Sequence, residues 1–457
     1  MLTAINPTTG SIVREVQPAC ESEVEDILAS SESAYQNWRQ TTFKERAQVI
    51  KSVALRMREN IESLALLMTE EMGKPIKEAR AEVQKAAWCA EHYADHAQHY
   101  LKPEVLESDA SLSYVQYLPL GVILGILPWN APFWLAFRFC APTLMAGNTC
   151  VMKHDPHVPG CAAAIADLFD HPDCPIGIFQ NLPIERSQAE AVIRDKRIQA
   201  VSFTGSDRGG ATVASTAASQ IKHSVLELGG SDPAIVLADA DLEKAADVIV
   251  LSRIINAGQS CIAAKRIIIE APVYEEMIDL LKERLEKLVV GDPELDETDI
   301  GPIARKDLRD NLHRQVCESI SQGAHCFLGG ELPDGDGYFY PVTLLADVTE
   351  EMTASREETF GPVAVAMKAE NVQHAISLAN NSEYGLAAAI WTTHKRGEAM
   401  APLLETGQVA INGIVKTDPR LPSGGIKRSG FGRELGPHGI HEFVNAQQVW
   451  IGPQKEN

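Results

Sequence analysis

The chain has 457 residues, more than a single hydrophobic core organises, so two or three domains are expected. Its hydrophobic content of 45% is that of an ordinary globular protein, and its net charge of −21 argues against nucleic acid or an anionic membrane surface as partners. The same acidity means that an anionic substrate would need its own local positive charge. Nine cysteines are scattered without a CxxC pair or a His/Cys cluster at zinc spacing, so no metal site is expected. The odd count and an N-terminus (Met1-Leu-Thr-Ala-Ile-Asn6) without a signal-peptide pattern predict reduced thiols and a cytoplasmic setting.

In chain order, residues 1–20 carry short β-like runs such as Ser11 to Val16. From Ser22 to about Tyr100 the apolar residues recur at helical spacing (Val24, Ile27, Leu28; Val49, Ile50, Val53; Leu64, Leu67, Met68), with Gly73-Lys-Pro75 as a break between helices. The charged residues on the other faces of these helices read as ordinary solvated surface. Residues 101–119 alternate like strands, as does Phe443 to Ile451. The apolar stretch from Tyr117 to Met152 is broken by Pro128, Asn130, Pro132 and Arg138, so it reads as core strand, loop and core helix rather than as a membrane span. Strand and helix then alternate: Gly121 to Leu127, Phe133 to Met145, Cys150 to Lys153, Ala162 to Phe169, and Ala200 to Phe203 feeding Thr204-Gly-Ser206 and a helix. The alternation resumes with Ala234 to Leu237, Leu242 to Ile254, Ile267 to Ile269 and Val273 to Val289. A loop-rich region from Gly291 to Tyr340 follows, then further strands ending in Val409 to Asn412. The class is α/β with doubly wound sheets.

The chain is organised around Asn256-Ala-Gly-Gln-Ser-Cys261, a Gly-containing turn between an apolar helix and the β-branched run Arg266 to Glu270. A cysteine on such a turn is held on a rigid frame yet reachable, which suits a nucleophile; a buried structural cysteine is the alternative. Three further motifs keep register with it. Glu227-Leu-Gly-Gly230 begins 34 residues before Cys261, Pro128-Trp-Asn130 ends 131 before it, and Glu358 of Glu357-Glu-Thr-Phe-Gly-Pro362 lies 97 after it. In this order and near these spacings, the four motifs resemble the aldehyde dehydrogenase superfamily, from Asn6-Pro-Thr-Thr-Gly10 to Phe431-Gly-Arg-Glu434. Lys153-His154, Gly229-Gly-Ser-Asp-Pro233 and Ala263-Ala-Lys-Arg266 are similar to the bacterial succinate semialdehyde dehydrogenases that use NAD or NADP.

The resemblance implies an aldehyde dehydrogenase-like fold of two α/β domains and a small β arm. Residues 1–100 and 120–227 would bind the cofactor, residues 228–430 would carry catalysis, and residues 101–119 with 431–457 would form an oligomerisation arm of a homodimer or homotetramer. It implies Cys261 as nucleophile, its pKa lowered by backbone N–H groups and the nicotinamide cation. The Asn130 amide and the Cys261 N–H would bind the oxyanion, and Glu227 would activate the water that hydrolyses a thioester. Relatives that pass the acyl group to coenzyme A generally lack this Glu, so the free acid is the expected product. A plain ion-pair role for Glu227 and a loop-pinning role for Asn130 are the alternatives. For NAD or NADP, no Gly-x-Gly-x-x-Gly fingerprint exists. The turn Phe203, Thr204, Gly205 and Ser206, with a helix N-terminus after it, would face the pyrophosphate. Lys153 would hold the adenosine ribose, and Glu358 and Phe360 the nicotinamide ribose and ring. Leu127, Pro128, Trp129, Leu228 and Gly229 would complete the cleft. Pro156 stands where NAD-preferring relatives often carry a Glu, which leaves Lys153 free for a 2′-phosphate, while Asp155 leaves the preference open.

For the substrate, Arg138 sits eight residues after Asn130 among Trp134, Phe137 and Phe139. A charge in that setting needs an anionic partner. In relatives acting on ω-carboxylated aldehydes an Arg at this offset grips the distal carboxylate, with Trp134 beside it; a structural Asp or Glu of the chain itself is the alternative. A second Arg six residues before the nucleophile is replaced by Ile255, with Arg253 two earlier and Lys416 as a substitute. Ala263, two after Cys261, leaves no neighbouring cysteine for a disulfide switch. Glu434 matches a position proposed for proton relay, with a salt bridge as the alternative reading.

Overall fold

The computed structural model describes residues 1–453; residues 454–457, the end of the expected arm segment 431–457, lie outside the described residues. Two parallel-stranded sheets dominate. The first has six strands, in the order Gly430–Phe431, His223–Glu227, Ile198–Thr204, Val122–Leu127, Thr149–His154 and Phe179–Asn181. The second has seven, in the order His325–Leu328, Thr343–Ala346, Val363–Ala369, Arg266–Glu270, Pro233–Val236, Ala387–Trp391 and Gln408–Ile411. Every residue of Val122–Leu127 and Thr149–His154 is buried, as parallel strands covered on both faces require.

The N-terminal helices Glu21–Trp38, Phe43–Glu59, Ile61–Met72 and Ile76–Tyr100 stand where helical periodicity placed them. Thr42 and Glu45 form a capping box at the second of them. Gly73 ends the third in the left-handed conformation (φ 76°), where a Cβ would lie 2.7 Å from Pro302 Cγ. The long helix Ile76–Tyr100 packs against Pro132–Met145, the fully buried helix that follows Asn130.

The chain crosses back between the two units near its end. Gly430–Phe431 pairs antiparallel with Leu226 and Glu227, so a C-terminal segment closes over the end of the strand that carries Glu227. Outside both sheets, Glu104–Val105, Leu112–Pro119 and Val444–Ile451 form a three-stranded antiparallel arm, with Val444 opposite Pro119 and Ile451 opposite Leu112. The region Gly291 to Tyr340, expected as loop, differs from that expectation. It holds the helix Lys306–Ser321 and the edge strand His325–Leu328. The helix buries only Leu312, Gln315, Val316 and Ser319, and two of those four are polar, so its apolar stripe is too thin to show as periodicity. Among the described residues, no helix is long and apolar enough to cross a membrane.

Candidate active site

The helix Leu242–Ile254 stops at a strained turn. Asn256 (φ 56°), Ala257 (φ 53°) and Gly258 (φ 75°) are three consecutive left-handed residues, a conformation that costs about 1–3 kcal/mol at each non-glycine position. Hydrogen bonds hold it. The Asn256 N–H donates to Glu78 Oε2 at 2.7 Å, and Asn256 Nδ2 donates to the carbonyls of Asn130 (2.8 Å) and Gln259 (3.2 Å). Gln259 donates back to the Asn256 carbonyl and accepts from the Ala304 N–H at 2.9 Å. At Gly258 a Cβ would fall 2.3 Å from the Gly361 carbonyl oxygen, so only glycine fits. Three residues on, Cys261 keeps part of its surface accessible. Its thiol is nevertheless pushed up to about 12: burial dominates, with Lys265 and Arg138 pulling it down and Glu358 and Glu227 pushing it further up. The lowering expected from the sequence depends on the nicotinamide cation as well as on the chain's own groups. The chain's own groups crowd the sulfur with low-dielectric surroundings and do not offset that with enough positive charge, so the resting thiol keeps its proton at neutral pH.

This turn ties Asn130 to the segment that carries Cys261. Asn130 Nδ2 donates to the Gln259 carbonyl at 3.1 Å, and its own carbonyl accepts from Lys74 Nζ at 2.9 Å as well as from Asn256. Lys74 is ion-paired with Glu82, whose Oε1 accepts the backbone N–H groups of Phe133 (3.0 Å) and Trp134 (3.1 Å) and so caps the helix carrying Trp134 and Arg138.

Glu227 ends its strand, 4% exposed, with Oε2 3.3 Å from Arg138 Nη2 and Oε1 buried without a partner. Burial raises its pKa to about 7, Arg138 pulling it down and Glu434 pushing it up. Arg138 Nη2 also pairs with Glu434, which accepts from Ser202 Oγ at 3.3 Å. Burial lowers the guanidinium's pKa, and Glu434 and Glu227 more than reverse that, leaving it above its usual value. Arg138 thus has two protein carboxylates as partners. Both carboxylates contact Nη2, and Arg138 Nε is buried without a hydrogen-bond partner. Glu434, left open between relay and salt bridge, makes the salt bridge.

On the other side of Cys261, Glu358 Oε1 accepts from the Gly230 N–H at 3.2 Å and lies 3.1 Å from Lys265 Nζ. Lys265 also donates to the carbonyls of Ser260 (2.8 Å) and Cys261 (2.7 Å), so one buried ammonium joins the nucleophile's loop to that carboxylate. A Cβ on Gly229 would lie 2.5 Å from Glu358 Oε2. Phe360 packs edge-on against Trp129 at 5.9 Å between centroids. Among the nucleotide candidates, Lys153 is 7% exposed at a strand end beside Leu127's strand, with no hydrogen bond to a described residue, and burial lowers its pKa. Asp155 is occupied by His157, whose N–H and Nδ1 lie 3.0 and 2.7 Å from Oδ1. Ser206 caps the helix Asp207–Ala218 by accepting from the Gly209 N–H, the Gly205 N–H donates to the Glu227 carbonyl at 3.0 Å, and Thr204 Oγ1 is buried without a partner. The Phe203 ring fills the space beside Gly205 and Gly209, and Leu228 the space beside Gly210. A buried unpaired cation, an orphaned hydroxyl and a capped helix start suit a phosphorylated dinucleotide.

Sequence reasoning missed Glu78, Glu82, Lys85 and Lys265. The first three sit at helical spacing on one face of Ile76–Tyr100, a stripe read as solvated surface; that face turns into the protein. Lys85 Nζ lies 4.2 Å over the Trp134 ring and donates to Thr417 Oγ1 at 2.8 Å. Lys265 stands in the sequence only as part of Ala263-Ala-Lys-Arg266; the strand after it, Arg266–Glu270, has a charged residue at each end, so nothing local marks the lysine as buried. Arg253 braces the turn, donating to the Gly258 carbonyl at 2.6 Å, and Lys416 is exposed.

Comparison with known proteins agrees with this geometry. The aldehyde dehydrogenase family pattern matches residues 1–449. A probable NADP(+) succinate-semialdehyde dehydrogenase from Synechocystis is 49% identical over 451 residues, 98% of this chain and 99% of that protein. A succinate semialdehyde dehydrogenase, NAD(P)+, from Escherichia coli is 44% identical over 448 residues, 98% of this chain and 97% of that one. The crystal structure of succinic semialdehyde dehydrogenase from Streptococcus pyogenes in complex with NADP+ superposes with a TM-score of 0.96 at 35% identity, covering 99% of this chain and 100% of that one. With the motifs assembled at one site and the match running the length of the chain, this protein belongs to the aldehyde dehydrogenase family.

Proposed function

We propose that the protein oxidises succinate semialdehyde to succinate with NAD or NADP, releasing the free acid. The observation that carries the hydrolytic chemistry is Glu227: a buried carboxylate with a pKa near 7 and one oxygen left without a partner, in the same site as Cys261. The substrate and the choice of NAD or NADP rest on the relatives named above.

Cys261 Sγ adds to the aldehyde carbon and its proton passes to Glu227, since a thiol held near 12 does not ionise unaided. The developing oxyanion takes the Asn130 amide and the Cys261 N–H as donors; Asn130 Nδ2 carries two N–H groups, one given to the Gln259 carbonyl and the other left for the oxyanion. The nicotinamide, when bound, supplies the hydride acceptor. Glu358, Phe360 and Trp129 hold that end of the cofactor; Lys153, Thr204, Gly205 and Ser206 hold the adenosine and phosphate end, with Leu127, Pro128, Leu228 and Gly229 lining the passage. Glu227 gives that first proton up to solvent, then takes one from water as it attacks the thioester, and Cys261 Sγ departs as the leaving group and is reprotonated as the free acid forms. We assign residues 1–100 and 120–227 to cofactor binding, 228–430 to catalysis, the arm to a homodimer or homotetramer, and the enzyme to the cytoplasm.

The test is the rate of cofactor reduction with succinate semialdehyde, butyraldehyde and other short aldehydes, each with NAD and NADP. The highest kcat/KM is expected for succinate semialdehyde, without coenzyme A. A preference for uncharged aldehydes would sink the substrate, and a requirement for coenzyme A would sink the hydrolytic route.

A further inference from the structure

Lys265 is 1% exposed and stands directly before the strand Arg266–Glu270. Its ammonium donates to two carbonyls, Ser260 at 2.8 Å and Cys261 at 2.7 Å, and lies 3.1 Å from Glu358 Oε1. Two hydrogen bonds and an ion pair therefore tie the ammonium down. Gly230 closes the circuit. Its N–H donates to Glu358 Oε1 at 3.2 Å, and a Cβ there would lie 2.9 Å from the Cys261 carbonyl oxygen, so no larger residue fits against that carbonyl.

The two carbonyls that Lys265 holds belong to the two peptide planes meeting at the Cys261 Cα. A peptide unit is planar and trans, so its N–H points opposite to its C=O. Fixing the Ser260 carbonyl thus fixes the direction of the Cys261 N–H, one of the two donors assigned to the oxyanion. Fixing the Cys261 carbonyl as well sets the backbone on both sides of the residue, and with it the bond that carries Sγ. A positive charge on the Ser260 oxygen also polarises that peptide and makes its N–H a stronger donor. The same charge bears on the sulfur. Burial raises the thiol, Lys265 is the first of the charges opposing that rise, followed by Arg138, and Glu358 and Glu227 add to it. Burial likewise pushes the Asp232 carboxyl up to about 7, with Lys265 pulling it down.

Resting on the reading of Cys261 as nucleophile, we propose that Lys265 is a positioning residue of this active site. By gripping the carbonyls on both sides of Cys261 it aims the sulfur and the Cys261 N–H together, and its pairing with Glu358 anchors that arrangement to the carboxylate assigned to the nicotinamide ribose. Lys265 acts through Cys261 rather than on the aldehyde, so its contribution falls on kcat and is the same for charged and neutral substrates.

The experiment compares wild type, Lys265→Met and Lys265→Arg, each checked for folding by thermal unfolding, with succinate semialdehyde and with butyraldehyde. In parallel, alkylation of Cys261 by iodoacetamide is followed from neutral to alkaline pH, with peptide masses separating Cys261 from the other cysteines. Lys265→Met is expected to lose about 100-fold in kcat on both aldehydes, with KM changed less than about threefold. Its Cys261 is expected to be alkylated at least about threefold more slowly at each pH, because the thiolate fraction falls by more than the thiolate gains in nucleophilicity. Lys265→Arg, which keeps a charged donor, is expected to recover at least about tenfold in kcat. Unchanged kcat in folded Lys265→Met would overturn the proposal, as would a loss confined to KM or a Cys261 alkylation profile like that of wild type. A kcat loss that Lys265→Arg does not recover would assign Lys265 to packing and overturn it too. Wild type that keeps its turnover after Cys261 is alkylated would sink the nucleophile reading, and the proposal with it. Should Lys265→Met not fold, Lys265→Gln replaces it under the same criteria.

Discussion

Glu227 and Arg138 work against each other by about the amount catalysis needs. Burial alone would hold the Glu227 carboxyl in its neutral form, and Arg138 brings it back to a pKa near 7, where it can both take and give a proton at neutral pH. Because the base is the deprotonated form, turnover limited by hydrolysis is expected to fall as pH drops through about 7 and to rise above it. In Glu227→Gln that limb should vanish. Hydrolysis should stall, and an acyl-enzyme should accumulate to a mass detectable in the intact protein; a normal steady-state rate would show that another group is the base. Arg138→Met should leave Glu227 and Glu434 buried without a cation, raising the Glu227 pKa further. The acidic limb of the rate profile is then expected to move to higher pH for succinate semialdehyde and butyraldehyde alike. A loss confined to the charged substrate would instead return Arg138 to the role of substrate anchor.

Among the elements, the turn after Leu242–Ile254 determines whether the nucleophile is presented at all. Two left-handed non-glycine residues are kept there by Glu78, Asn130 and Gln259, each from a different part of the chain. Gly258→Ala adds a methyl group 2.3 Å from the Gly361 carbonyl at φ 75°, costing about 1–3 kcal/mol from the backbone conformation and more from the clash. Activity is expected to fall at least about tenfold with a lower melting temperature, checked by initial rates and thermal unfolding, and an active, equally stable variant would mean that the turn relaxes freely. The stripe of Glu78, Glu82 and Lys85 makes the related point for a helix. Helical periodicity identifies a polar face, but it does not say whether that face meets water or a polar site.

For the molecule as a whole, the arm is the part least satisfied by its own chain. Val105, Leu106, Leu112, Trp450 and Ile451 are exposed on or beside three strands that pack on little else. An apolar edge of this kind is a template for another chain. If the arm makes the proposed homodimer or homotetramer, Val105→Asp combined with Trp450→Glu is expected to lower the mass read by multi-angle light scattering to that of a monomer; a wild type already monomeric, or a variant of unchanged mass, would remove the arm as an interface.

Taken by itself, the sequence determined the α/β class, the order of most helices and strands, and the motifs bearing Cys261, Glu227, Asn130 and Glu358. These follow from local periodicity and from residue types at set spacings, which a linear chain displays. It left the helix Lys306–Ser321 unseen because half of that helix's buried face is polar. Only the tertiary structure decided how the charges pair. Arg138 meets Glu227 across 89 positions, Lys265 meets Glu358, and Lys85 is left facing Trp134 and Thr417. Burial, and with it the direction of each pKa shift, depends on which distant segments pack together: this pushes the Cys261 thiol up and turns an apparent surface stripe of the helix Ile76–Tyr100 toward the protein interior.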